Sequence, residues 1–193
     1  LIANFSLERI NKSNARFDRD KLFRFNGDTI AAMGRDEWRG RLRDHLTHRQ
    51  LLPTLTTSDN HFRMFADAYQ PRSRTLEEPA KLGKFFVVAD ESLRYDPKAV
   101  NKVLKRNGSE GMAVLREVMR TLEECSDWSA KTLDALIRRF AEERGVGLGK
   151  VAQPLRVAIS GGTVSPPIQE TLAILGKDST HNRIRHCLSL HQE

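Results

Sequence analysis

Apolar side chains recur along this chain at helical spacing, not at the alternation of a strand. Between Ser129 and Arg144, Leu133, Leu136, Ile137, Phe140 and Ala141 fall at i, i+3, i+4, i+7 and i+8, which is one face of a helix. Ser126 or Asp127 is expected to cap its start and Gly145 its end. Leu115, Val118, Met119 and Leu122 mark the helix before it. Thr75 with Glu78 three residues later fits a capping box leading into Leu82, Phe85 and Phe86. Pro97 opens a helix through Leu104, closed by Asn107 and Gly108. Ser165 followed by Pro166 and Pro167 reads as a cap with prolines in the first turn, and Gly176 as the stop. A last helix runs from about Asp178 to Leu190. Phe85, Phe86, Val87 and Val88 suit a strand by residue type but continue a helical pattern, so they are assigned to helix. The expected fold is all-α, a superhelical array of short helices in two units. Leu136, Phe140, Leu172 and Leu175 are its expected terminal core.

Length and composition agree with a globular domain. The 193 residues are 39% hydrophobic and 30% charged, enough apolar surface for a core and too much for a disordered chain. No run of eighteen apolar residues exists to span a membrane. The chain opens on Leu1, not Met, and its first ten residues lack the pattern of a signal peptide, so a longer protein is expected to precede it. Cys125 and Cys187 are expected as reduced, partly buried thiols. The net charge of +7 is uneven: residues 1–74 carry 14 Lys and Arg against 9 Asp and Glu. Arg35, Arg39, Arg41, Arg43 and Arg49 cluster there, which suits a polyanion. Asp36, Glu37 and Asp44 lie among them, so a solvated, internally paired face is equally open.

Enzyme motifs fail on inspection. Gly147-Leu148-Gly149-Lys150 lacks both the earlier glycine and the following hydroxyl of a phosphate-binding loop, since Arg144 and Val151 stand there. Those glycines are expected to end the Phe140 helix. Ser160-Gly161-Gly162-Thr163 reads as a helix stop and loop, with anion binding by its amides as the alternative. His181, His186 and His191, five apart, spread around a helix and make poor metal geometry. No catalytic residue and no metal site is assigned.

The last third of the chain carries a specific pattern. Trp128-Ser129 opens a helix ending at Arg144-Gly145-Val146, and Leu148 to Ala158 follows as LGKVAQPLRVA. After a glycine-containing loop come Ser165-Pro166-Pro167-Ile168 and Leu172-Ala173-Ile174-Leu175-Gly176-Lys177. In order and spacing this resembles the C-terminal helical cage of bacterial-type glutamyl-tRNA synthetases of class I. Phe5 to Ile10, Phe17-Asp18, Lys21-Leu22 and Asn26 resemble the end of that family's stem-contact region, and Pro71 to Glu78 the segment joining its two anticodon-binding units. The resemblance implies residues 1–33 as the tail of the stem-contact region, 34–95 as the first helical anticodon-binding unit and 96–193 as the terminal cage. It implies tRNA(Glu) as partner, with no DNA and no membrane, and a cytoplasmic monomer. ATP and Mg2+ serve the parent enzyme, which ligates glutamate to tRNA; no cofactor is expected in this part, which lacks the catalytic domain.

The resemblance also implies the site. Arg156 and the segment Ser165, Pro166, Ile168 contact the first two anticodon bases, with Pro167 as a further contact; Arg72 reads the third base, with Arg74 as its understudy. Such bases are splayed out, stacked and bonded along their edges, and arginine's planar fork both donates and stacks. Plainer roles stand beside these. Ile168 could be a core contact with Leu172 and Leu175, Arg156 a surface ion pair, and Arg72 a loop brace or phosphate contact. Two readings outside the family also stand: an all-helical module that docks another protein, and a general RNA binder without anticodon specificity.

Overall fold

A computed structural model describes residues 18–51 and 59–191. The expected features at Phe5 to Phe17 lie outside these residues. Among the described residues every regular element is helical and no strand occurs. The fold is all-α.

Helix α1 spans Arg19–Ala32 and is capped by Asp18, whose carboxylate accepts from the Lys21 amide. Helix α2 is Arg35–His48 and α3 is Asp59–Tyr69. A 3-10 turn, Gln70–Arg72, leads to α4, Glu77–Leu82, and to two further 3-10 turns at Lys84–Val87 and Asp90–Ser92. Trp38, Leu42, Phe62, Phe65 and Phe86 form a core under these elements. The buried Trp38 indole satisfies its one donor on the Ala66 carbonyl at 2.8 Å.

A helical turn at Pro97–Ala99, capped by Asp96, widens into a π turn at Val100–Leu104. Helix α5, Arg106–Glu123, opens on three left-handed residues, Asn107, Gly108 and Ser109. Then come α6 (Ala130–Glu143), α7 (Leu148–Ser160), α8 (Ile168–Leu175) and α9 (Lys177–Leu190). Their apolar faces share a second core, including Leu115, Leu122, Leu133, Ile137, Leu155, Leu172 and Ile184. Cys125 and Cys187 are both buried and free, and burial pushes the Cys187 thiol up to about 12.

Several local expectations shift. Leu172 is fully buried, but Leu136, Phe140 and Leu175 only flank the core, which Leu133 and Ile137 fill. The cap of α6 is Ser129, with Asp127 bonding its hydroxyl at 3.0 Å from one turn outside. The capping box at Thr75 does not form: the Glu78 carboxylate accepts from the Arg74 amide. Gly147 and Gly149 do not end the Phe140 helix. Gly147 is the N-cap of α7, and Gly145, at φ 67°, makes the stop. Gly161 ends α7 at φ 78°, pressed against the Arg94 carbonyl where no Cβ fits, and its own carbonyl accepts from the Asp96 amide at 2.8 Å.

The two cores are tied by one buried cation. Arg183 of α9 is 2% exposed. Its Nε donates to Asp90 Oδ1 at 2.6 Å, Nη1 to the Phe85 and Ile159 carbonyls at 2.8 Å, and Nη2 to the Val88 carbonyl at 3.0 Å. Arg183→Met is expected to destabilise the fold by about 3–5 kcal/mol, because it removes the cation of a largely covered ion pair and leaves three carbonyls without their donor. Urea unfolding of the two chains gives the difference. A second expectation concerns pH. His181 is 5% exposed, neither ring nitrogen has a hydrogen-bond partner, and burial holds its pKa below the usual 6.5. The unfolded chain therefore binds a proton that the folded chain refuses. Stability is complete above about pH 6.5 and falls as pH drops through the folded pKa. Thermal melts between pH 7.5 and 5.5 should show that fall, and His181→Gln should flatten it. His191, shifted the same way by burial, leaves a residue of the effect.

Candidate nucleic-acid interface

Two arginines expected at the site occupy different settings, each built by its neighbours. Arg156 lies on α7 and is half-buried. Its Nε donates to Ser165 Oγ at 2.9 Å, and Ser165 in turn donates to the Pro166 carbonyl at 2.8 Å. Thr171, fully buried on α8, sets its hydroxyl 3.1 Å from the Pro166 and Pro167 carbonyls and 3.2 Å from Ser165 Oγ. The turn that orients Arg156 is thus pinned from below by a threonine that the sequence reading did not single out. Burial lowers the Arg156 pKa, and among the described residues no carboxylate offsets it. The Nη groups donate to no group among the described residues, so a planar donor fork stands at the surface without an acceptor.

The helix after this turn starts later than expected. It begins at Ile168 with Pro167 as N-cap, so Pro166 and Pro167 precede the helix instead of forming its first turn, and Ser165 is a bracket for Arg156 instead of a cap. Pro166 is buried. Ile168 is 5% exposed and belongs to the terminal core.

Arg72 ends the 3-10 turn Gln70–Arg72. Gln70, 8% exposed, fastens this turn by donating to the Ile30 and Met33 carbonyls at 3.1 and 2.8 Å. Ser73, also buried, closes it by donating to the Tyr69 carbonyl at 2.8 Å. The guanidinium is anchored at Nη1, which donates to the Ala68 carbonyl and lies 3.6 Å from Glu170 Oε2 on α8. Arg72 and Glu170 face a cavity of about 280 Å³ between the two cores, with Met64, Ala68, Ala130 and Ile174 also on its wall. Arg74 is held away from it. Its Nε and Nη2 bond Glu78 Oε1 at 3.2 and 3.0 Å, and its guanidinium lies over the Phe23 ring.

The cluster of arginines near the N-terminus is spent inside the fold. Arg39 forks onto Asp67 at 2.9 and 2.6 Å and also holds Asp36, Arg41 pairs with Glu37, Arg43 with Asp59, and Arg49 with Glu77. Arg35 adds a longer contact to Asp67 at 3.7 Å. The result is internal pairing, not a bare polyanion face, and Asp59, Asp67 and Glu77 from beyond the cluster supply most of it. Cations without ion pairs among the described residues lie elsewhere. Lys84 and Arg94 border a depression of about 640 Å³ with Lys81, Ser160 and Val164, next to the Gly161–Ser165 turn. Sequence reasoning missed these, because which cations find an acid is decided by the fold: Glu77, for one, serves His45 and Arg49 from another helix. Among the described residues no group of three His, Cys, Asp or Glu could hold a metal ion, and no helix is long and apolar enough to cross a membrane.

The all-helical fold and the sequence both have relatives of a known class. The family described as anticodon binding domain matches residues 47–188, and the chain belongs to that family. It is 38% identical over 186 residues to a glutamate–tRNA ligase 2 of Rhodospirillum rubrum, covering 96% of this chain and 38% of that protein. It is 37% identical over 185 residues to a glutamate–tRNA ligase of Corynebacterium efficiens, covering 95% of this chain and 37% of that protein. A crystal structure of a glutamate tRNA ligase from Elizabethkingia meningosepticum shares the fold with a TM-score of 0.80 at 24% identity, over 96% of this chain and 35% of that one. The chain thus spans a little over a third of the length of the curated relatives it matches.

Proposed function

We propose that this chain binds the anticodon arm of tRNA(Glu) and is the anticodon-reading portion of a glutamate–tRNA ligase. The observation that carries this reading is Arg156: a half-buried cation, bracketed by Ser165, with no carboxylate partner among the described residues. A structural arginine in such a place would be expected to have an acid beside it, whereas a ligand-binding one is left for the ligand. In this reading Arg156 and the turn at Ser165, Pro166 and Pro167 take the first two anticodon bases, with Ile168 supporting the ledge from within the core. Arg72 takes the third, with Arg74 as a secondary contact. Residues 34–95 and 96–193 act as two reading units, and residues 1–33 finish the stem-contact region. Lys84 and Arg94, without ion pairs among the described residues, are suited to meet backbone phosphates of the arm. The parent enzyme works as a cytoplasmic monomer and binds ATP and Mg2+ through its catalytic portion.

The chemistry at Arg72 follows from donor and acceptor patterns. Glutamate anticodons end in cytosine and glutamine anticodons in guanine. A guanidinium donates to the O2 and N3 acceptors of cytosine, whereas the N1–H and exocyclic amine of guanine would face it as unpaired donors. A buried, unpaired donor costs about 1–3 kcal/mol. The proposal is therefore that the parent enzyme favours tRNA(Glu) over tRNA(Gln).

Arg156→Ala is expected to lose about 1–3 kcal/mol of affinity for a glutamate-type anticodon stem-loop, the size of a good bidentate base contact. An equal loss on a stem-loop with the anticodon replaced would make Arg156 a phosphate contact instead. Arg72→Gln is expected to act on selectivity. Titration with stem-loops differing only by cytosine or guanine at the third anticodon position should give a smaller affinity ratio for the variant. Loss of affinity for both with the ratio intact would assign Arg72 to the backbone.

A further inference from the structure

The Arg72 guanidinium has one end fixed and one end free, and the fixing comes from two different parts of the chain. Nη1 is held by the Ala68 carbonyl, four residues back on α3, and faces Glu170 Oε2 on α8 at 3.6 Å. Nε and Nη2 donate to no group among the described residues. Glu170 Oε2 is itself buried and accepts no hydrogen bond, so its charge is balanced by Arg72 and no other cation pairs with it among the described residues. Asp67, the other carboxylate on the cavity wall, does not compete for Arg72, because the Arg39 fork occupies both its oxygens. A lone carbonyl would let the guanidinium swing about Nη1. A carboxylate on α8 restricts that swing and leaves Nε and Nη2 free to donate to a ligand.

We infer that Glu170 is a positioning residue for third-base selectivity: it holds Arg72 by Nη1 so that the Nε–Nη2 edge meets a base as a fork. This rests on the reading of Arg72 as the third-base contact and adds how that contact is oriented. Position on the chain gives Glu170 a second consequence. It sits five residues after Ser165 on the segment that begins with the Arg156 bracket, and Thr171 beside it pins that bracket. One short helix therefore fixes both arginine forks, and the registration of the third base with the first two passes through α8.

Plain electrostatics and positioning predict opposite results. Glu170 is a negative charge near an anionic ligand, so removing it without any positioning role should tighten both stem-loops equally. If Glu170 orients Arg72, Glu170→Ala should instead reduce the cytosine-to-guanine affinity ratio, by roughly fivefold or more for a directly coupled pair. The test is a double-mutant cycle on the full chain with Arg72→Gln, Glu170→Ala and the combination, titrated with the two stem-loops. The expected result is that each single variant lowers the ratio and the double variant lowers it no further than Arg72→Gln alone. A ratio unchanged by Glu170→Ala while Arg72→Gln lowers it would overturn the inference and leave the reading of Arg72 standing. So would additive losses in the double variant. A ratio unchanged by Arg72→Gln would overturn both. If alanine lowers the melting temperature, the isosteric Glu170→Gln repeats the cycle under the same criteria.

Discussion

The buried guanidinium of Arg183 is the constraint on which the arrangement of this protein depends. The stretch between the two cores is made of 3-10 turns, and such turns leave carbonyls without partners in their own backbone. A β-sheet would return donors to them; here no strand is among the described residues. Arg183 supplies the donors from a distance. It reaches the 3-10 segment at Phe85 and Val88, the carboxylate of Asp90, and the last turn of α7 at Ile159. Guanidinium is suited to this because its donors lie in one plane and remain charged when buried. Lysine could satisfy some of these acceptors but not hold them in a fixed relative geometry.

What hangs on that geometry is the relation between Arg72 and Arg156. The first belongs to the elements around Trp38 and Phe65, the second to the terminal helices, and neither core alone fixes their separation. Gly161 adds a second tie, at the point where α7 meets the Arg94–Asp96 segment. Helix α8 adds a third, since Ile174 packs with the first core while Leu172 packs with the second. A ligand bridging both arginines would therefore meet a surface whose span is set by polar locks and shared packing, not by a hinge.

The long helices were legible because their burial is one-sided. The 3.6-residue spacing of Leu133, Ile137 and Ala141 is the direct trace of a face turned to a core. Phe140, on the same stripe, showed the limit of that signal, since periodicity gives the face but not the depth. The π turn at Val100–Leu104 left no trace in the pattern, because it is a solution to packing against α5 and α7 and not a local preference, whereas the left-handed residues at the start of α5 were marked by Asn107 and Gly108. At the site, the family pattern led to Arg156, Ser165 and Arg72 by position, but not to their supports. Thr171, Gln70 and Glu170 are ordinary helix residues in one dimension; only the fold reveals that each faces a turn carrying an arginine. Charge was the least legible property. Five clustered arginines are paired, whereas Lys84 and Arg94 have no ion pair among the described residues.

The two cysteines give the folded chain an unusual chemical silence. Cys187 is fully covered in the terminal core, and its thiol is held protonated far above neutral pH, while Cys125 is buried at the end of α5. A thiolate is the species that alkylating agents and disulfides attack. Maleimides and disulfides should thus react slowly with the folded chain, and with Cys187 only when the helices that cover it part. The rate at which this protein consumes such a reagent becomes a clock for the opening of its terminal core, readable without introducing any label.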